Sequence, residues 1–437
     1  MAQPSRAAAK RPTRSRLPVG LALAGLMALA AGAPATLAAA RPVTVTFWES
    51  HSAGGPPGKA VSALVAMFNR THPGIRVVLT VTKASHKLLG AFAAGDPPVL
   101  AMVSHYDQAF ITAHAILSWN PYLTGADGMP QAERNSFFPV AWQNGEVSGQ
   151  HYRLQADAKI SQLTYNVAMF RKAGIKTPPT TWAELATDVA ILKKKLPGVI
   201  PLAWKDSSAH ILPPFLSNGG TIFAPGSAGK RANFLTPAAT ETFTYFRNLY
   251  AKHEMIVAHG AEIRADFGAG RLAIADGTSA GYQKILDAAG GRFPVGVFAY
   301  PAGASGHSAN LSQGLGFVLV AHHTAAQDAA AATFVAWWFG ARAQAYWGTH
   351  SGYPPETRIA LPLMSSYLAT HPGIAVSVAT LESPYTVGRP IPTAYKEVQA
   401  SLDAAFFNAV TGSESVATAL HSLESQANAY LSGSAAL

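Results

Sequence analysis

The chain has 437 residues, 49% of them apolar, and a formal net charge of +10. That length suits one large or two medium domains with sizeable cores. No cysteine is present, which excludes disulfides, thiolate chemistry and a lipid-modified cysteine anchor.

The first forty residues read as a secretory signal. Arg6, Lys10, Arg11, Arg14 and Arg16 form a basic head, Leu17 to Ala31 is a short apolar run, and Ala38-Ala39-Ala40 offers small residues for a cut near Ala40. Setting those five basic residues aside takes the charge from +10 to +5. Such a mild balance favours an anionic small ligand, not nucleic acid. The longest basic run, Lys193-Lys194-Lys195, fits a solvated helix face. No later apolar stretch is long enough to span a bilayer.

Val43 to Trp48 alternates β-branched and aromatic residues and predicts a strand. Lys59 to His72 has apolar residues at helical spacing and ends at Pro73-Gly74. Ile75 to Thr82 predicts a strand, His86 to Ala94 a short helix, and Val99 to Val103 a third strand. This β-α-β-α-β order predicts an α/β fold with a parallel sheet, whose ligands sit beyond the carboxyl ends of the strands. The loops Glu49 to Ser52 and Ser104 to Asp107 are therefore placed for binding.

Further on, Leu154 to Asn166 is extended, and Thr181 to Lys195 is a helix with Thr181 and Glu184 set for a capping box. Strands are predicted at Val199 to Trp204, Leu272 to Asp276, Val295 to Tyr300 and Gly316 to Ala321. Helices are predicted at Pro237 to His253, Ala261 to Ala269, after Gly281, and over Ala325 to Trp347. Gly352-Tyr353-Pro354-Pro355 then holds a tyrosine stiffly between a glycine and two prolines, which suits a phenol presented to a cleft. The remainder is mostly helical.

No nucleophile elbow, phosphate-binding loop or dinucleotide fingerprint is present. The fifteen histidines include no His-Glu-x-x-His pair, and no metal or cofactor is implied. Only 23 acidic residues exist, and none stand out as paired acids for glycoside cleavage. A binder is favoured over an enzyme.

Several segments carry a family resemblance. They are Phe47-Trp48-Glu49-Ser50-His51, Ala91 to Pro98, Tyr165-Asn166 with Phe170-Arg171-Lys172-Ala173-Gly174, Pro178 to Leu185, Gly314 to Leu319, and Ser351 to Pro355. The chain resembles the extracellular solute-binding proteins of ABC importers, the maltose-type group, and within it the branch that binds glycerol phosphate. The resemblance implies two α/β lobes with a ligand cleft between them and hinge closure. The first lobe would take 41–154 plus 294–347, the second 155–293 plus 348–437. The implied partners are a membrane permease pair with its ATPase, with the binder itself a monomer.

The resemblance also places ligand-binding residues. Ser279 at a helix start, the Gly314 backbone, the Tyr353 phenol and the Arg389 guanidinium would hold a phosphate. At the other end this chain departs from the pattern. His105 stands where the family has a glutamate, His210 where it stacks a tryptophan (with Trp204 nearby), and Ser85 near a tyrosine position. Asp157-Ala158-Lys159 replaces Asn-Ser-Ser. This implies a more cationic pocket and a small phosphorylated polyol, such as glycerol 3-phosphate or a glycerophosphodiester. A neutral sugar or oligosaccharide is the alternative ligand, and a secreted hydrolase the rival from another class.

Overall fold

The structure is a computed structural model that describes residues 41–104, 108–124, 128–390, 392 and 394–433. The signal-like first forty residues and His105 lie outside them.

Val43–Glu49 (β1) buries Val45 and Phe47 completely, as its alternating pattern dictates. Two prolines open helix Pro56–Thr71, which turns Val61, Leu64, Val65 and Phe68 inward. Ile75–Val81 (β2) and Leu100–Val103 (β3) both pair with β1 in parallel. Then come Ile116–Leu117 (β4), the hairpin Glu146–Val147 (β5) and Gln150–His151 (β6), and Leu154–Gln155 (β7). The chain crosses to a second sheet made of Ser161–Asn166 (β8), Ile200–Trp204 (β9), Met255–Val257 (β10), Leu272–Thr278 (β11) and Val295–Ala299 (β12). It returns through Asn310–Ser312 (β13) to Gly316–Val320 (β14), and a late strand, Thr386–Gly388 (β15), pairs with β13.

The first sheet runs β2-β1-β3-β14-β4, with β7 also on β14, and the second runs β10-β9-β11-β8-β12. The expected parallel pairing holds for β1 with β2 and β3, and for β9 with β10 and β11. It does not hold where the chain re-enters a sheet: β14 is antiparallel to β3, β4 and β7, and β8 to β11 and β12. Every residue of β14 is buried, so its apolar run reads the same in either direction and carries no orientation signal.

Local chemistry explains several helix ends. Thr181 Oγ1 accepts from the Glu184 N–H and Glu184 Oε2 accepts from the Thr181 N–H, both at 3.2 Å, completing the capping box. Asn166 caps helix Val167–Ala173 through Met169 N–H (3.1 Å), and Gly174 closes it at φ +85°. Thus the Tyr-Asn and Lys-Ala-Gly motifs are helix punctuation. The single helix expected over Ala325 to Trp347 is two, Ala325–Phe339 and Ala341–His350, because Gly340 leaves helical geometry. Helix Ser208–Ser217 went unpredicted because it carries Pro213 and Pro214, which read as breakers.

Each sheet has its own core. Phe47, Phe317, Phe334, Trp338 and Trp347 pack against the first, and Trp204, Phe246 and Phe406 against the second. Trp338 and Trp347 are fully buried. The chain was expected to join the second half from Gly348. Instead Met364, Ile374 and Leu381 of helices Leu361–Thr370 and Pro372–Glu382 join the first core. Gly348 makes room for this, since a Cβ there would meet Met364 Cε at 2.4 Å. The second of these helices also reaches β8, where the Ser377 hydroxyl donates to Gln162 Oε1 (3.2 Å). Helices Tyr395–Thr411 and Val416–Leu431 belong to the second core.

Candidate functional site

Register places the site. Glu49, Val103 and Gln155 end strands at one edge of the first sheet, with Gly316, the start of antiparallel β14, beside them. Ser161 opens β8 opposite Thr278, the end of β11. Residues 156–160 and 313–315 cross between the two edges, pinned by Lys159 N–H donating to Gln313 O (2.6 Å). A cavity of about 580 Å³ opens at this crossing, where the carboxyl ends of the parallel strands of both sheets converge.

Ser50, His51, Ser104 and Tyr353 line it from the first side. Ser208, Lys396, Gln399 and Asp403 line it from the second, Asp157, Lys159 and Gly314 from the crossing segments, and Arg389 from just after β15. The loops after β1 and β3, marked in the sequence as placed for binding, supply Ser50, His51 and Ser104.

The floor is an ion cluster. His51 Nδ1 lies 2.6 Å from Glu49 Oε1, and its Nε2 lies 2.8 Å from Asp157 Oδ2. The His51 backbone N–H also donates to both Glu49 oxygens (2.9 and 2.6 Å). Burial works against a charge on His51, but the contacts with Asp157 and then Glu49 outweigh it and raise its pKa to about 9. Asp157 Oδ1 accepts from the Leu315 N–H at 2.5 Å. Gly314, at φ +141°, brings the two crossing segments this close: a Cβ would sit 1.8 Å from the Asp157 carbonyl oxygen. Tyr353 meets His51 edge-on (5.7 Å) and stacks on Trp347 (5.6 Å). Burial, then the Asp157 and Glu49 carboxylates, push its phenol upward, keeping it a neutral donor.

Above this floor stand cations. Among the described residues the Lys159 ammonium has neither a hydrogen bond nor an ion pair. Burial lowers its pKa, Asp157 opposes that, and Arg389 and Lys205 reinforce it. Arg389 donates to Gln399 Oε1 (2.6 Å) and lies over the Tyr395 ring (5.6 Å), a posture that leaves part of its fork toward the cavity. Burial is also the main cause of the lowered pKa of Arg389. Asp403 accepts from the Ser208 N–H (2.5 Å), and burial pushes it up to about 6.

The remaining residues expected at a ligand lie one layer back. Ser279 Oγ accepts from Ile160 N–H (3.2 Å) and fixes the crossing segment beside Lys159. Ser85 Oγ accepts from Ser104 N–H (2.9 Å), behind Ser104. His210 is buried against Asp276 (2.9 Å) and the Tyr300 hydroxyl (3.0 Å). Trp204, 0% exposed, is core against Phe246 and Tyr300 and offers no ring to the cavity. Sequence reasoning placed His51 only within a binding loop and gave it no role, and it missed Lys396, Gln399 and Asp403 as lining residues. The Glu49-Ser50-His51 spacing was the available signal for the first, since i and i+2 fall on one side of a strand end. Among the described residues no group of three or more His, Asp or Glu side chains could hold a metal ion.

Comparisons with known proteins bear on this geometry. A family model described as bacterial extracellular solute-binding protein matches residues 63–366. The sn-glycerol-3-phosphate-binding periplasmic protein UgpB of Yersinia pestis bv. Antiqua is 28% identical over 159 residues, 34% of this chain and 35% of that one. Its counterpart in Yersinia enterocolitica is 30% identical over 159 residues with the same coverage. The chain thus spans about a third of the length of the curated relatives it matches. Among solved structures, MalE of Xanthomonas citri has a TM-score of 0.78 at 20% identity, covering 90% of this chain and 98% of that one. The cyclic alpha-maltosyl-1,6-maltose binding protein of Arthrobacter globiformis has a TM-score of 0.76 at 21% identity, covering 90% and 100%. UgpB of Mycobacterium tuberculosis, solved with glycerophosphocholine, has a TM-score of 0.75 at 20% identity, covering 90% and 99%. At these identities the likeness shows the fold, two α/β lobes of the periplasmic binding type.

Proposed function

The chain belongs to the bacterial extracellular solute-binding proteins, and from that premise we propose that it captures a small phosphorylated polyol, such as glycerol 3-phosphate or a glycerophosphodiester, for an ABC importer. One observation carries the choice of ligand: Lys159 and Arg389 line the same cavity, and the carboxylate whose charge acts on Lys159, Asp157, is already engaged by His51. An ammonium with no hydrogen bond or ion pair among the described residues and a guanidinium with donors to spare suit a phosphate group. Tyr353 supplies a neutral phenol donor beside them.

The ligand would be held without covalent chemistry and released to a permease pair driven by an ATPase. In this reading the protein is an exported, periplasmic monomer, its first forty residues a signal peptide. The glycerol-phosphate and glycerophosphocholine ligands named for UgpB proteins support the anion, while the maltose-type neighbours support a sugar. The cavity chemistry favours the former. Tyr353 is the one Phe, Tyr or Trp among its described lining residues, whereas sugar sites draw on aromatic platforms.

Calorimetry with glycerol 3-phosphate, glycerophosphocholine, maltotriose and inorganic phosphate tests this. Saturable binding of a phosphorylated compound, weakened by about 2–5 kcal/mol in Arg389→Ala, is expected. Binding of maltotriose alone would replace the reading with the sugar one, and saturable turnover of a phosphodiester would replace it with a hydrolase.

A further inference from the structure

His51 is in contact with two carboxylates from different segments, Glu49 at the end of β1 and Asp157 on the crossing segment. Both carboxylates are almost fully buried, at 0% and 1% exposure. Without a positive charge between them they would present two like charges beneath the cavity, repelling any anion and each other. Burial followed by the Asp157 charge pushes the nearby Glu356 carboxyl well above the usual range, which disfavours a third negative charge there.

We propose that His51 is a specificity-determining residue of this cavity: its imidazolium pairs with both Glu49 and Asp157 and cuts their two negative charges to one, so that a floor built on two carboxylates admits a phosphate-class anion. The proposal rests on the anionic-ligand reading above. His51 also orients Asp157, whose other oxygen is taken by the Leu315 N–H. The groups facing His51 are Glu49, Asp157 and the rings of Trp347 and Tyr353. Lys159, Arg389, Lys396 and Asp403 share the cavity. The raised pKa of His51, about 9, keeps the imidazolium charged through neutral pH.

The test has two arms. In the ligand-free protein, nitrogen-detected histidine NMR should show one imidazolium persisting to about pH 9. It is assigned by its loss in His51→Gln or, should that variant not fold, in His51→Asn. A His51 that becomes neutral below pH 7 overturns the proposal whatever the ligand.

In the second arm, glycerol 3-phosphate and glycerophosphocholine are titrated into wild type and folded His51→Gln from pH 5.5 to 9.5. The variant should bind at least about tenfold more weakly at pH 7.5. It should also recover on acidification, as the freed carboxylates take up protons, whereas wild type shows no such gain. Lys159, present in both proteins, governs any loss they share at high pH. Equal affinity with superimposable pH profiles overturns the proposal alone. Failure of wild type to bind either compound overturns the anionic reading, and this inference with it.

Discussion

Replacing Lys159 by Met separates a binding role from a structural one. The two side chains have similar length, so packing is nearly conserved and the ammonium is what disappears. In the ligand-free protein that ammonium has no hydrogen bond or ion pair among the described residues, and burial lowers its pKa from 10.5. A lysine whose pKa is lower folded than unfolded opposes folding wherever the unfolded chain holds the proton, at every pH below about 10. The variant should therefore melt at or above the wild-type temperature. Its phosphate ligand, by contrast, would lose a charge-assisted bond inside a confined cavity, about 2–5 kcal/mol, or roughly 30- to 5,000-fold in Kd. Thermal unfolding and calorimetry of the same preparation read both quantities. Affinity within twofold of wild type, or a melting point several degrees lower, would refute the assignment of Lys159 as a ligand cation.

Gly314→Ala should destabilise the protein by about 2–5 kcal/mol, from strain at positive φ and from a Cβ overlapping the Asp157 carbonyl; a melting curve superimposable on wild type would contradict it. Asp188 has its pKa raised to about 6 by burial and then by Glu184. Because the folded value lies above the unfolded one, its contribution is present at low pH and is lost as pH rises through about 6. Asp188→Asn should thus gain stability at pH 8 relative to pH 4, by less than about 1 kcal/mol since the side chain is half exposed and screened. Denaturant titrations at the two pH values check the sign.

Much of the architecture is written in local chemistry. The alternation in Val43–Glu49, the one-sided apolar stripe of Pro56–Thr71 and the Thr181-Glu184 box each need only a few neighbouring residues, so they could be read directly. The Gly352-Tyr353-Pro354 turn was likewise legible, and Tyr353 does line the cavity. What escaped are features that depend on distant partners. Ser279 carries the chemistry of an anion site at a helix start, yet its hydroxyl is taken by Ile160 on the crossing segment. Trp204 has the ring a sugar site would use, yet β9 turns it into the second core. His51 could be placed in a binding loop, but its role was hidden until the fold carried Asp157 to within 2.8 Å of it from 106 positions away. Periodicity and capping act over a turn or two of chain, so the sequence by itself determined the elements and their ends. Charge pairing acts through space across a crossover, so only the tertiary structure decided which cavity cations lack an ion pair among the described residues and which carboxylates share a histidine.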